Sequence, residues 1–166
     1  DWLDGCWSRL AAGGTVRMPL DAYPFSARYG WIEDRHGVNW QFMLTDPAGD
    51  PRPAILPALM FSGRAQNRAR EAIEWYTETI ADSEIGLIAP YPDDTGPARA
   101  NDVMFADFRV ADVWMVAMDS GSPDTWDFSE GVSLELRCAD QAEIDRLWSA
   151  MSAVPEAEQC GWLKDP

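Results

Sequence analysis

His36 is the only histidine of the chain, and it sits in the polar run Asp34-Arg35-His36-Gly37 between two apolar stretches. Imidazole suits proton transfer near neutral pH and metal ligation, but either job needs partners. No nucleophile-elbow pattern accompanies it, so no hydrolytic triad can be assembled. His36 therefore reads as a solvent-facing turn residue. Cys6, Cys138 and Cys160 have no metal-type spacing, and they read as buried, inert thiols. Their odd number argues against a complete set of intramolecular disulfides and points to a reducing, cytoplasmic compartment. Asp93-Asp94 lies in a loop rich in proline and glycine, which suits solvation better than an acid–base pair. Gly13-Gly14 follows a helix and precedes a strand, the reverse of the order that cradles a nucleotide, and it reads as a helix end.

Composition narrows the partners. The formal net charge of -15 repels a phosphate polymer at long range, so a nucleic acid is excluded and a cationic small molecule is favoured. With 46% apolar residues the chain can build a core, and nine tryptophans supply large rings for it and for lining a pocket. No apolar run approaches the length of a membrane span.

The elements that must position these side chains follow from periodicity. Leu3, Cys6, Trp7 and Leu10 share one face of a helix over residues 1–12. Thr15 to Met18 alternates as a short strand, and Pro19 to Ser26 reads as a loop. Arg28 to Glu33 and Val38 to Leu44 read as strands joined by the Asp34–Gly37 turn. Thr45 to Pro53 holds three prolines in nine residues and reads as a stiff linker. Beyond it come a strand over Ala54–Phe61, a helix over Gln66–Ile80 with Ala69, Ala72, Ile73, Tyr76 and Ile80 on one face, and a strand over Ser83–Ala89. Pro90 to Asp102 is a long loop. Val103–Val110 and Val113–Met118 form a hairpin, followed by a loop over Asp119–Ser129. A strand over Gly131–Cys138 precedes a helix over Gln141–Met151, which the box Asp140-x-x-Glu143 opens. The order from Ala54 is thus one βαβββ module, then strand, helix and a further strand.

The chain also repeats itself. Leu3, Cys6, Trp7 and Leu10 lead to Tyr29-Gly30-Trp31-Ile32-Glu33-Asp34, and Ile144, Leu147, Trp148 and Met151 lead to Cys160-Gly161-Trp162-Leu163-Lys164-Asp165. On this reading the chain opens inside one module and closes inside another. The runs Pro57-Ala58-Leu59-Met60-Phe61-Ser62-Gly63, Ala72-Ile73-Glu74-Trp75-Tyr76, Asp82-Ser83-Glu84-Ile85 and Met118-Asp119-Ser120-Gly121 resemble the PhnB-like branch of the vicinal oxygen chelate superfamily. That branch is often labelled a 3-demethylubiquinone 3-methyltransferase domain. Tyr29 to Gln41 is similar to its closing strands, with His36 where phenylalanine is usual.

The resemblance implies an α+β fold whose βαβββ modules form an open, curled mixed sheet around a cup. Residues 54–166 would be one such domain lacking its last strand. Residues 1–44 would be the helix and three strands of a preceding domain or a permuted closing piece, with 45–53 as linker. Metal-dependent relatives hold an ion with His, Glu or Gln on strands facing the cup. Here Ala54–Phe61 and Trp114–Met118 offer none of these, and Gly131–Cys138 offers only Glu135. Gln41 matches the position of a final carboxylate ligand but is an amide. No metal and no cofactor is therefore expected. If Gln41 faces the cup, alternation puts Asn39 and Met43 beside it, and Met104, Met115 and Asp119 are further lining candidates. Such a cup suits a small organic or aromatic molecule. A drug-binding role like that of bleomycin-resistance proteins, a metal-dependent glyoxalase- or dioxygenase-like enzyme, a methyltransferase and a purely structural module stay open as alternatives. The resemblance also implies a homodimer, and the unpaired sheet edge of the second module points the same way.

Overall fold

Trp7, on the apolar stripe of the first helix, meets a sheet that makes room for it. The chain is seen in a computed structural model that describes residues 2–123 and 126–166; Asp1 of the expected first helix and Asp124 and Thr125 of the expected 119–129 loop lie outside the described residues. Contacts divide the chain into two compact units, Asp1–Pro51 and Arg52–Pro166.

The first unit is a helix α1 (Trp2–Ala11) and three antiparallel strands, β1 (Thr15–Tyr23), β2 (Ser26–Glu33) and β3 (Asn39–Met43), in the order β1-β2-β3. Gly13, at φ +79, ends α1 in the left-handed conformation, and the Gly14 N–H returns to the Ala11 carbonyl. Trp7 packs edge-on against Phe42, with ring centroids 5.8 Å apart. Gly30 stands directly opposite Phe42 across the ladder, and a Cβ there would fall 2.6 Å from the Trp7 ring. Glycine at 30 is what lets the helix lie on this face. The expected loop from Pro19 is instead part of β1. Three register shifts bend this strand, and it is an edge strand, so Pro19 removes no donor that an interior ladder would need.

In the second unit, β4 (Ala58–Phe61), β5 (Glu84–Pro90), β6 (Val103–Val110) and β7 (Val113–Asp119) form a sheet ordered β4-β7-β6-β5. Helix α2 (Ala69–Thr79) connects β4 to β5. β4 and β7 run parallel and the other pairs antiparallel, so the βαβββ module read from the sequence forms one open mixed sheet. Ala69 and Ile73 of α2 are fully buried against Phe61, Val103, Ala106, Phe108, Met115 and Ala117. α2 starts three residues later than expected because Asn67 takes a positive φ of 66.

Past β7 the sequence pattern is only partly realised. Helix α3 (Gln141–Met151) forms as expected, and its box closes: Asp140 accepts the Glu143 N–H at 2.9 Å and Glu143 accepts the Ala139 N–H at 2.7 Å. The expected strand over Gly131–Cys138 does not form. Its alternation is present, but among the described residues no strand pairs with it to supply ladder hydrogen bonds, and Val132, Leu134 and Leu136 remain exposed. The strand expected near the end is replaced by a tight turn. Cys160 and Gly161 both have positive φ, and Gln159 and Trp162 exchange both backbone hydrogen bonds across it.

Candidate functional site

In each unit a helix covers one face of the sheet, which makes the other face the place to look for a ligand. In the first unit the covered face carries Gly30, Ile32 and Phe42. The opposite face carries Tyr29, Trp31 and Glu33 of β2 paired with Met43, Gln41 and Asn39 of β3. Asn39, Gln41 and Met43 therefore share one face, as alternation requires, and all three are exposed. The Tyr29 hydroxyl donates to Gln41 Oε1 at 2.9 Å, and the Trp31 indole N–H donates to Asn39 Oδ1 at 2.9 Å. Both amides are thereby fixed by aromatic donors. Tyr29 is buried under Tyr23 and Phe25, and that desolvation, with the nearby Tyr23 phenol, pushes its own phenol up to about 12.

His36 stays in its turn and is exposed. The turn is organised by Asp34 beside it. One Asp34 oxygen accepts the N–H groups of His36 and Val38 at 2.8 and 3.0 Å, and the other accepts the Trp40 indole at 2.9 Å. These bonds, the indole first, hold the Asp34 carboxyl below the usual carboxylate range. The signal for this role was an aspartate at the head of a four-residue turn, a position where its side chain bonds the backbone two residues on.

The other three sequence candidates fall in the second unit, where Met115 and Asp119 share the face of β7 that α2 covers. Met115 is buried in the core under α2. Asp119 is also buried, with Oδ1 accepting the Ala69 N–H at 3.1 Å and Oδ2 the Val103 N–H at 2.9 Å. Met104 sits at an irregularity where Ala89 pairs with Phe105 but Pro90 pairs with Val103, and it is left exposed. The face away from α2 carries Met60, Asp107, Trp114, Val116 and Met118, by the register that places Asp107 opposite Val116 and Met60 beside Met118. Arg52 lies across it, with its guanidinium 3.6 Å from the centre of the Trp114 ring and its Nε donating to Asp107 at 2.9 Å. Two signals were available for this cluster: an aspartate inside the apolar strand Val103–Val110, and Gly86 inside β5. Arg52, from an irregular segment, gave none.

A concavity of about 460 Å³ runs beside α2, where Glu71, Glu74 and Glu78 stand with Trp75, Asp102 and Asp119. Glu71 is tied to Arg68 by two hydrogen bonds of 2.9 Å, and the acidic row is the solvated face of the helix. The Asp93-Asp94 loop is structural, since Asp94 accepts the Ala100 N–H at 2.8 Å. None of the three unpaired cysteines is buried as expected: Cys6 and Cys138 are half-buried, and Cys160 is exposed because it forms the tip of the terminal turn.

Among the described residues no three His, Cys, Asp or Glu side chains converge to hold a metal ion. The strand-to-helix turn after β4, where a nucleoside cofactor would lie, is filled by the chain itself. Asp127 accepts the Arg64 N–H at 2.9 Å, and a Cβ at Gly63 would meet its carboxylate at 2.6 Å. The residues present therefore fit neither a divalent ion nor S-adenosylmethionine at these places.

A family model described as 3-demethylubiquinone-9 3-methyltransferase matches residues 53–166. The PhnB protein of Bacillus cereus is similar in structure, with a TM-score of 0.52 and 30% identity over 60% of this chain and 73% of that one. A protein from Staphylococcus aureus matches at 27% identity and a TM-score of 0.35, over 62% of this chain and 70% of its own. No curated protein matches the chain.

Proposed function

We propose, for a chain that belongs to the PhnB-like 3-demethylubiquinone-9 3-methyltransferase family, that it binds a small amphipathic or aromatic molecule on an uncovered sheet face. The observation that carries this is the repeated construction of the two units. Each covers one sheet face with a helix and lines the other with aromatic and methionine side chains and a few fixed polar groups. Apolar surface sets affinity on such a face, while fixed amides and carboxylates set orientation. The acidic balance of the chain adds a preference for cationic aromatic compounds.

Methyl transfer, the activity in the family's name, gains no support from the turn after β4, whose Arg64 N–H is already taken by Asp127. A metal-dependent reaction would need donors that do not converge among the described residues. In the proposed reading, residues 54–166 carry one complete βαβββ module and the start of a second, 45–53 link, and 1–44 carry the helix and three strands of another module. Two copies associate, and the setting is cytoplasmic, in keeping with three unpaired thiols. No helix of the described residues is long and apolar enough to cross a membrane.

The test is a thermal-shift and tryptophan-fluorescence screen with neutral and cationic aromatic compounds. A ligand that binds only the folded state raises the melting temperature in step with its concentration. Dialysis against a chelator is expected to leave that shift unchanged. A screen in which no compound gives a saturable shift in either readout overturns the reading, and a shift that vanishes with the chelator moves it to the metal-dependent alternative.

A further inference from the structure

We propose that Trp114 and Asp107 form a receptor for a guanidinium head group, that Arg52 fills it in cis, and that an alkylguanidinium ligand enters by displacing Arg52. The receptor belongs to the sheet. Asp107 comes from the middle of β6 and Trp114 from β7, diagonal neighbours on the face away from α2. One oxygen of Asp107 is fixed by the Leu87 N–H at 2.7 Å, which leaves the other to meet the guanidinium. β5 bulges between Ile85 and Ile88 to bring that N–H into place. Gly86 is required there, since a Cβ would sit 2.3 Å from the Asp107 carboxylate and 3.1 Å from the Trp114 ring. Three strands thus hold one aromatic ring and one carboxylate side by side.

The occupant is of a different kind. Arg52 lies in a stretch without helix or strand between β3 and β4. Its guanidinium stacks on Trp114 at 3.6 Å and its Nε bonds Asp107 at 2.9 Å, the two contacts that a planar cation makes best. The Arg52 and Asp107 side chains keep 22% and 15% of their exposure, so the pair is largely desolvated yet open to solvent on one side. A tethered occupant acts at an effective concentration set by the length and stiffness of its tether, so a free ligand must beat that threshold to enter. Selectivity follows: a ligand lacking the cation leaves Arg52 in place, while a guanidinium ligand makes the same ring and carboxylate contacts. This rests on the uncovered face being the ligand face, and it assigns that face a head-group chemistry and a built-in competitor.

The experiment titrates ethylguanidinium, at low millimolar concentration and constant ionic strength, into wild type and Arg52→Ala, reading tryptophan fluorescence and melting temperature. Arg52→Ala is expected to bind it saturably, at least about tenfold more tightly than wild type. The gain is expected to disappear in Arg52→Ala/Asp107→Asn. A folded Arg52→Ala that takes up no ethylguanidinium, or takes it up equally well with Asp107→Asn, overturns the proposal. If Arg52→Ala does not fold alone, recovery of folding by ethylguanidinium but not by ethylammonium or sodium supports it, and no recovery overturns it. Neutral aromatic binding by wild type without any gain in Arg52→Ala removes this proposal and leaves the proposed function. Uptake of ethylguanidinium by Arg52→Ala, in a protein that binds no aromatic compound, does the reverse.

Discussion

Asp119, at the end of β7, closes the first turn of α2: its carboxylate accepts the backbone N–H of Ala69 at 3.1 Å. The Arg68 side chain, at the cap position, bonds Glu71 and caps no helix N–H, so the cap comes from fifty residues away in sequence. The second Asp119 oxygen takes the Val103 N–H, which ties the start of β6 to the same point. Helix, central strand and hairpin strand of the module are thus locked through one buried carboxylate.

Asp119→Asn therefore puts an amide N–H₂ against one of two backbone donors, and it should cost about 1–3 kcal/mol in urea unfolding. The pH dependence has a definite sign. Burial holds the Asp119 carboxyl above its usual range, against the lowering pull of the Val103 and Ala69 N–H groups. A group with a raised folded pKa contributes most below its unfolded pKa and loses that contribution as pH rises through the folded value. The stability gap between wild type and Asp119→Asn is expected to widen from neutral toward mildly acid pH. A gap that narrows on acidification would show that the hydrogen bonds outweigh burial.

Asp34 gives the opposite sign in the first unit. Its carboxyl is held low by the Trp40 indole and by the His36 and Val38 N–H groups. A lowered folded pKa contributes stability above the unfolded carboxylate range and loses it as pH falls through the folded value. Asp34→Ala should lower the melting temperature at neutral pH and flatten its decline in acid. The Trp40 indole N–H resonance should titrate with the Asp34 carboxyl in the wild type. An indole signal indifferent to pH below the carboxylate range counts against this arrangement.

Gln41→Leu tests the ligand face of the first unit. Gln41 is exposed and receives the Tyr29 hydroxyl, so leucine removes an orienting acceptor while taking little packing away. Affinity for an aromatic ligand found in the screen should fall by about tenfold, the worth of one well-placed hydrogen bond, while the melting temperature moves little. Should Gln41→Leu unfold readily while its folded fraction binds as before, the Tyr29–Gln41 pair is structural.

Much of the fold was legible because it is written in local periodicity. The stripe of α2, the alternation in β6 and β7 and the Asp140–Glu143 box each need only neighbouring residues to be read. What misled was pairing. Val132, Leu134 and Leu136 alternate like a strand, yet a strand exists only if another lies beside it. The site was legible in the same measure. Alternation grouped Asn39, Gln41 and Met43 correctly on one face, since one strand carries all three. It could not tell which face of β7 a helix covers, so Met115 went into the core and Asp119 to the head of α2. The Arg52, Asp107 and Trp114 cluster joins positions more than fifty residues apart and leaves no local trace on Arg52.

Self-association is the last prediction, and its motive is that same unpaired segment. Val132, Leu134 and Leu136 are 83%, 57% and 39% exposed, and they alternate with Ser133, Glu135 and Arg137. One side of this extended stretch is therefore an uncovered apolar row beside a polar one. β3 lies at the edge of the first unit's sheet, with β2 as its ladder partner among the described strands. Such edges recruit strands, and a second copy of the chain supplies a segment with strand alternation already in place. Light scattering across a range of concentrations should show a dimer. Leu134→Asp places a charge in the middle of the apolar row, where it weakens pairing without touching the core of either unit. It should shift the equilibrium toward monomer with little change in the unfolding of the monomer itself. A wild-type protein that stays monomeric at every concentration rules out pairing between chains, and a dimer indifferent to Leu134→Asp rules out this segment as its seam.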